Sequence, residues 1–383
     1  MQLSVNPKST DNYFYNISQI KHEMNIIVRS VLFNMDVISL KKTKFDSIDI
    51  SYKLSEYTEE ELEMRVNKIN EDIFSKVDLS DYSRFKSKFV PLHILVDILK
   101  NYNNYELLQF KYKSNIIMFN YYYKEYDYVS VLLKAIKIIS FIEYCNMTDQ
   151  TIDVTFAGTE HKKKLPKLKN LGPRSVNSGF TSHGFLGDVH MTVFRDEEAD
   201  KVILHELVHY LKLDFAMRDN SEIDKMVLED FNINKDDRFV NLFEAFTDFI
   251  AIIFNSIINC IFVKGNLNDY IQLEIDHVEN QMNKVLLHSG IKNVKDLLDK
   301  SKNILLEQYT SVLSYYILKY FLMNSSDYVL RNFFPKRNTE WSQNDILELY
   351  NHIKNGIKHY KKNTNKHIIN NDSLSMSLIN LRY

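Results

Sequence analysis

The sequence predicts an α+β protein in which helices predominate, and three observations carry that prediction. Gly (8) and Pro (5) are scarce in 383 residues while Tyr and Phe (24 each) are plentiful, so helix breakers are few and bulky apolar residues many. Apolar residues recur at helical spacing through most of the chain. One window departs from this: Gly158, Gly172, Gly179, Gly184 and Gly187 crowd together with Pro166 and Pro173, and strand-like alternation appears around them. The balance of 45% hydrophobic and 26% charged residues excludes wholesale disorder, and a net charge of −2 provides no basic field to recruit nucleic acid.

The window divides the chain into a mainly helical amino-terminal domain of residues 1–150, a second domain of residues 151–365, and a loosely ordered tail of residues 366–383. In the first part, helices are expected over 17–36, 58–77, 93–102 and 128–145, with SIDISYKL (47–54) as a short strand. From 151 the pattern changes: TIDVTF, SVNSGFTS (175–182) and DVHMTVFR (188–195) read as strands. Asp196, Glu197 and Glu198 then supply a cap and first-turn acids for a helix running to about Leu213. A polar loop (RDNSEIDK, DFNINKDDR) leads to a long apolar helix over 238–263, then helices near 268–287, 294–304 and 304–324.

Residues 246–263 are apolar and about long enough to span a bilayer, but Asp248, Asn255, Ser256 and Asn259 interrupt them. A buried core helix is the expectation, with no membrane span. Cys145 and Cys260 are too few for a disulfide framework, and MQLSVNPKSTDNYFYN has neither a basic nor an apolar signal region. An intracellular, reducing location is therefore expected.

The stretch KVILHELVHYLKLDF, beginning at Lys201, concentrates the chemistry. On a helix, His205 and His209 lie one turn apart with Cβ atoms about 5–6 Å from each other, so both imidazoles can reach one ion. Glu206 is rotated about 100° from His205 and stands beside the ion, placed to take a proton from water as a general base. Val202, Ile203, Leu204, Leu207, Val208 and Leu211 bury the rest of the helix, giving the rigid support that such a site needs. Catalytic zinc needs a third protein ligand. A histidine six residues after His209 with a glycine three after it would supply one pattern, but Phe215 and Lys212 occupy those positions. The other pattern is a carboxylate on a later helix, and NLFEAFTDFIA supplies Glu244 with Asp248 four residues on. Two acids in so apolar a helix are costly unless paired, hydrogen-bonded or bound to metal. Glu244 as third ligand and Asp248 holding the second nitrogen of a ligand histidine satisfy both.

HELVH followed by EAFTD resembles the gluzincin metallopeptidases, whose pattern is His-Glu-x-x-His with a downstream Glu-x-x-x-Asp. The resemblance implies a zincin-like catalytic domain with a small edge sheet, one Zn2+ per chain held by His205, His209 and Glu244, Glu206 as base, and Asp248 behind the ligands. The wider stretch VNSGFTSHG…HMTVFRDEEADKVILHELVHYL is also similar to metallopeptidase-like proteins of large DNA viruses. In gluzincin-like folds an edge strand pairs with substrate backbone. SVNSGFTS or GDVHMTVFR could serve here, with Asn177 and Gly179 lining the cleft, or Asn177–Gly179 could be only a turn.

Peptide hydrolysis also calls for an oxyanion donor. Tyr315 or Tyr316 could turn toward the metal, with Tyr309, His277 and His288 as alternatives and plain packing as the competing reading. Arg174 could grip a substrate carboxylate, and HKKKLPKLKN (161–170) could meet an acidic substrate or an acidic protein tail, unless both are solvated. The chain has no glycine-rich phosphate loop, no Gly-x-Ser-x-Gly elbow and no Cys-x-x-Cys. The expected activity is zinc-dependent hydrolysis of a peptide or protein substrate. The rival is a zincin-fold scaffold protein without turnover, associated with a virion.

Overall fold

Strand-forming segments on both sides of residue 150 build one sheet. In a computed structural model the described residues are 15–51, 57–58, 61, 75, 78–167, 170–183, 189–233, 240–302, 305–334, 341–361 and 371–379. Six strands lie in the spatial order β1-β2-β3-β4-β6-β5: β1 (Asp36–Lys44), β2 (Asn104–Tyr112), β3 (Asn115–Tyr123), β4 (Thr151–Thr159), β5 (Gly179–His183) and β6 (Val189–Arg195). The sheet is mixed. β1, β2 and β3 pair antiparallel, β4 runs parallel to both β3 and β6, and β5 closes the far edge antiparallel to β6.

The helices are α1 (Tyr15–Asn34), α2 (Leu92–Asn101), α3 (Tyr128–Tyr144), α4 (Ala199–Tyr210), α5 (Ser221–Asp230), α6 (Leu242–Val263), α7 (Leu267–His288), α8 (Lys319–Met323), α9 (Ser326–Asn332) and α10 (Gln343–His359). A π-helical stretch, Leu313–Leu318, runs directly into α8. Because strand side chains alternate between faces, the sheet feeds two apolar cores. Phe119, Val154, Met191 and Val193 pack with α1, α3, α4 and α6, whereas Tyr122, Ala157, Phe180 and Phe194 pack with α2 and residues 79–90. The apolar helix α6 lies at the centre of the first core, with 83% of its most apolar window buried in the protein.

Several expectations from sequence are redrawn. The region before residue 150 contributes three of the six strands as well as helices, and β3 pairs with β4 across residue 150. Residues 48–51 form no strand, and 52–54 lie outside the described residues, as does most of 58–77. The segment 104–123, to which the sequence assigns no element, is a hairpin whose aromatic and β-branched residues pair along nine registered positions. The expected loop after Arg218 contains α5, and the 294–304 helix is only a 3-10 turn, Val294–Leu298. Pro173–Val176 makes one helical turn before β5 instead of extending the strand. Residues 371–379, read as loose tail, lie against the core: Leu374 and Met376 are buried, and Glu274 accepts from Ser377 Oγ and from the backbone N–H groups of Leu378 and Ile379.

Candidate metal centre and cleft

Helix α4 leaves β6 through Glu198, whose φ of +62° turns the chain sharply into the helix. The acids Glu197 and Glu198 do not cap it with their side chains; their carboxylates turn to Lys163 instead. The helix places Lys201, His205 and His209 four residues apart, in one stripe. Across from them α6 presents Glu244 and Asp248 at the same spacing, and the π-helical stretch with α8 presents Tyr315 and Lys319. Three helical stripes thus converge, rung against rung. Tyr315 donates its phenol to Glu244 at 2.9 Å, and Lys319 donates to Asp248 at 2.6 Å.

His205 Nε2 and His209 Nε2 lie 3.1 Å apart, and each faces Glu244 Oε2, at 3.2 Å and 3.4 Å. An ion held tetrahedrally at about 2.0–2.1 Å puts its ligand atoms about 3.3 Å from one another. The triangle therefore fits a small tetrahedral cation, and His205, His209 and Glu244 form a group that could hold a metal ion. The Nδ1 atoms face away from the triangle. His205 Nδ1 meets Asp248 Oδ1 at 3.1 Å, and His209 Nδ1 meets Asp214 Oδ2. Carboxylates on Nδ1 orient both rings with Nε2 toward the centre, the arrangement that fixes metal-ligating histidines. In the arrangement described, burial opposes charge on Glu244 but the two imidazoles more than offset it, so its carboxyl sits well below the usual range.

Glu206 points out of the triangle toward β5. Thr181 Oγ1 is 2.9 Å from its Oε2 and 2.9 Å from its main-chain oxygen. Gly179 lies opposite the other carboxylate oxygen: a Cβ there would come within 3.1 Å of Glu206 Oε1 and 2.8 Å of Val202. Only a residue without a side chain leaves that space. Burial pushes the Glu206 carboxyl up. Burial, aided by Glu244, likewise pushes the Tyr315 phenol well above its ordinary value, so it keeps its proton.

These groups line a cleft of about 610 Å³ beside the edge strand β5. Phe89, from the residues that cover the second face of the sheet, and Phe180 of β5 also line it, their rings inclined by 31° with centroids 6.0 Å apart. Of the residues singled out from sequence, His205, Glu206, His209, Glu244, Asp248, Tyr315, Asn177 and Gly179 all line it, as does Tyr309. Asn177 holds the wall: its carboxamide oxygen accepts from Thr310, and its main-chain oxygen from Arg195.

Two expected residues lie elsewhere. Tyr316 is turned from Tyr315 by one helical position, and its phenol donates to the carbonyl of Leu374 at 2.7 Å, among the buried residues of the tail. Arg174 is not among the lining residues; the chain there is fixed by Arg195, which donates to the Arg174 carbonyl. His277 packs against the Ser375 carbonyl at 2.9 Å, and neither it nor His288 lines the cleft.

Sequence reading missed Asp214, Thr181, Lys201 and Lys319, and singled out Lys163 only within the basic run 161–170. Asp214 is placed by a turn that no residue type in the sequence marks. The α4 helix closes with Lys212 at φ +54°, while Leu213 N bonds Val208 O, so the chain doubles back and brings Asp214 beneath His209. Lys163, from the basic run 161–170, is buried and lines the cleft. Comparison of this chain with known protein families, with curated proteins and with solved structures finds no match.

Proposed function

We propose that this protein is a zinc-dependent peptidase of gluzincin type, with a zincin-like catalytic core built from β4–β6, α4 and α6. The observation that carries the reading is the triangle of two Nε2 atoms and one carboxylate oxygen at 3.1–3.4 Å, with an acid that is not part of it standing alongside. A zinc ion bound there supplies Lewis acidity, polarising a carbonyl and lowering the pKa of water toward about 7.

The remaining roles belong to the chain. His205, His209 and Glu244 hold the ion, and Asp248 and Asp214 keep the imidazoles oriented. Glu206 takes the proton of the attacking water and passes it to the leaving amine. Thr181 fixes the Glu206 carboxylate in the rotamer that this transfer needs. Tyr315 keeps its proton and donates to the oxyanion that develops on the scissile carbonyl. The free edge of β5 offers backbone groups to an extended peptide, and Phe89 and Phe180 give its side chains an apolar lining.

The test is elemental analysis of the wild type and Glu244→Ala, together with turnover of a mixed peptide library by the wild type and Glu206→Gln. About one zinc per chain, lost in Glu244→Ala, is expected for a three-ligand site. Cleavage should be abolished in Glu206→Gln while zinc is retained. Stoichiometric zinc with no cleavage of any peptide would replace this reading with that of a silent scaffold. Absence of metal from the wild type would sink both.

A further inference from the structure

Beyond the metal donors the cleft ends on buried ammonium groups. Lys201 lies four residues before His205 on α4, about 6 Å along the axis, and Lys163, whose ammonium reaches Glu198 at the start of that helix, lines the same cleft. Both lysines are almost wholly buried, at 2% and 1% relative exposure. A buried ammonium is stable only when its charge is matched and its hydrogen bonds are filled. Lys201 meets Asp248 at 2.5 Å, and Lys319 meets the other oxygen of Asp248 at 2.6 Å.

Lys163 is different. Among the described residues its ammonium has one hydrogen-bond partner, Glu198 Oε2, at 3.2 Å. That carboxylate is already divided, since Lys201 approaches it at 3.8 Å and the Met376 backbone N–H donates to its second oxygen. Asp248 is taken by two lysines and His205, and Glu274 by the tail. Burial accordingly pushes the Lys163 ammonium down to about 8, despite Glu198. A cation with N–H groups to spare, walled by Pro173, Val176 and Met376, faces the cleft.

We propose that this end of the cleft binds a carboxylate of the peptide substrate through Lys163. This rests on the peptidase reading above. The carboxylate completes the ammonium's hydrogen bonds, and the surrounding apolar wall strengthens the pairing by excluding water. Residues 179–181 of β5 and Lys163 line one cleft, so a peptide extended along β5 that reaches Lys163 is selected for negative charge at one residue. The source is either an Asp or Glu side chain or the substrate's own carboxyl terminus.

The experiment uses the full chain loaded with zinc and fluorescein-labelled peptide pools carrying Asp/Glu, Ala or Lys at each position in turn. Every pool is made both as the free acid and as the C-terminal amide. Cleavage is read with the wild type, and binding by anisotropy with Glu206→Gln. Acidic pools should be cleaved and bound roughly 10- to 100-fold better than the Ala pools, the range of one charge-assisted hydrogen bond. Lys163→Met should erase that preference while leaving cleavage of neutral peptides, and Lys163→Arg should keep much of it. Zinc content and circular dichroism report whether each variant folds. Loss of the preference on amidation assigns the site to the terminal carboxylate; its persistence at one position assigns it to a side chain. Equal cleavage of acidic and neutral pools, or a preference untouched in Lys163→Met, overturns the proposal and leaves the peptidase reading standing. Lys163-dependent binding of acidic peptides with no cleavage keeps this site and removes the peptidase. Competition by inorganic phosphate, without binding of any peptide, overturns it in favour of a free-anion site.

Discussion

His205 and His209 present the same atom to the same point, but what stands behind each ring differs. Behind His205 is Asp248, which comes from another helix and also meets Lys201 and Lys319. Behind His209 is Asp214, from the turn that closes the same helix, held by Thr247 Oγ1 and the Ala216 backbone N–H at 2.9 Å and 3.0 Å. The first support ties the candidate metal site to a charge network spanning three elements. The second is held by neutral donors only, one from the same turn and one, Thr247, from α6. Both supports reach α6, but one acid is matched to buried ammonium groups and the other to neutral donors, so removing the supports should separate stability from metal affinity.

The largest effect is expected from Asp248→Ala, which leaves two buried ammonium groups without their carboxylate. Loss of one partner of a buried pair typically costs about 3–5 kcal/mol, to be read from urea unfolding of the metal-free protein. A cost below about 1 kcal/mol would show that the lysines find other partners. Asp214→Asn keeps a hydrogen-bonding group but removes the charge. Zinc affinity by competitive chelation should fall about 10- to 100-fold, while metal-free stability should fall by only about 1–2 kcal/mol. Equal stability losses in the two variants would erase the distinction drawn here.

A third effect is set by pH. The Lys163 ammonium is pushed down to about 8 in the fold from an ordinary 10.5. Between those values the unfolded chain binds a proton that the folded chain does not, so stability rises with pH across that window and this ionisation penalises the fold most below it. The slope from this one group is at most about 1.4 kcal/mol per pH unit. It should appear as the difference between the unfolding curves of the wild type and Lys163→Met, and parallel curves from pH 8 to 10.5 would refute it. The smallest effect belongs to Tyr315→Phe. It removes one hydrogen bond from Glu244, about 1 kcal/mol, and should leave zinc content intact while turnover drops. Loss of zinc in this variant would make Tyr315 a support of the metal site instead of a donor to substrate.

What the sequence made legible was what depends on spacing within one helix. His205, Glu206 and His209 need only one turn of α4, and Glu244 with Asp248 only one turn of α6, so three or four residues of periodicity announced them. Asp214 depends on a left-handed residue, Lys212, and lysine carries no mark of that conformation in its name. Lys201, Lys163 and Lys319 become a charge network only when three distant segments converge, and in the sequence each reads as an ordinary surface charge. Thr181 acquires its role from the register of β5 against β6. The sheet was hidden for a similar reason: β1 is mostly exposed and shows no alternation of apolar and polar residues, and β2–β3 owe their form to pairing across the hairpin more than to local preference. Tyr315 and Tyr316 were equivalent candidates until the π-helical turn directed one at Glu244 and the other at the tail.

Met376, whose backbone closes over Glu198 and whose side chain walls the deep end of the cleft, is encoded more than 160 residues after His209. Translation delivers the two histidines early and this last wall late. A ribosome-bound chain stopped short of that residue holds every donor of the metal triangle but leaves Glu198, Lys201 and Lys319 open to water. The charged layer beneath the triangle is thus closed by a segment of the chain far from the donors themselves.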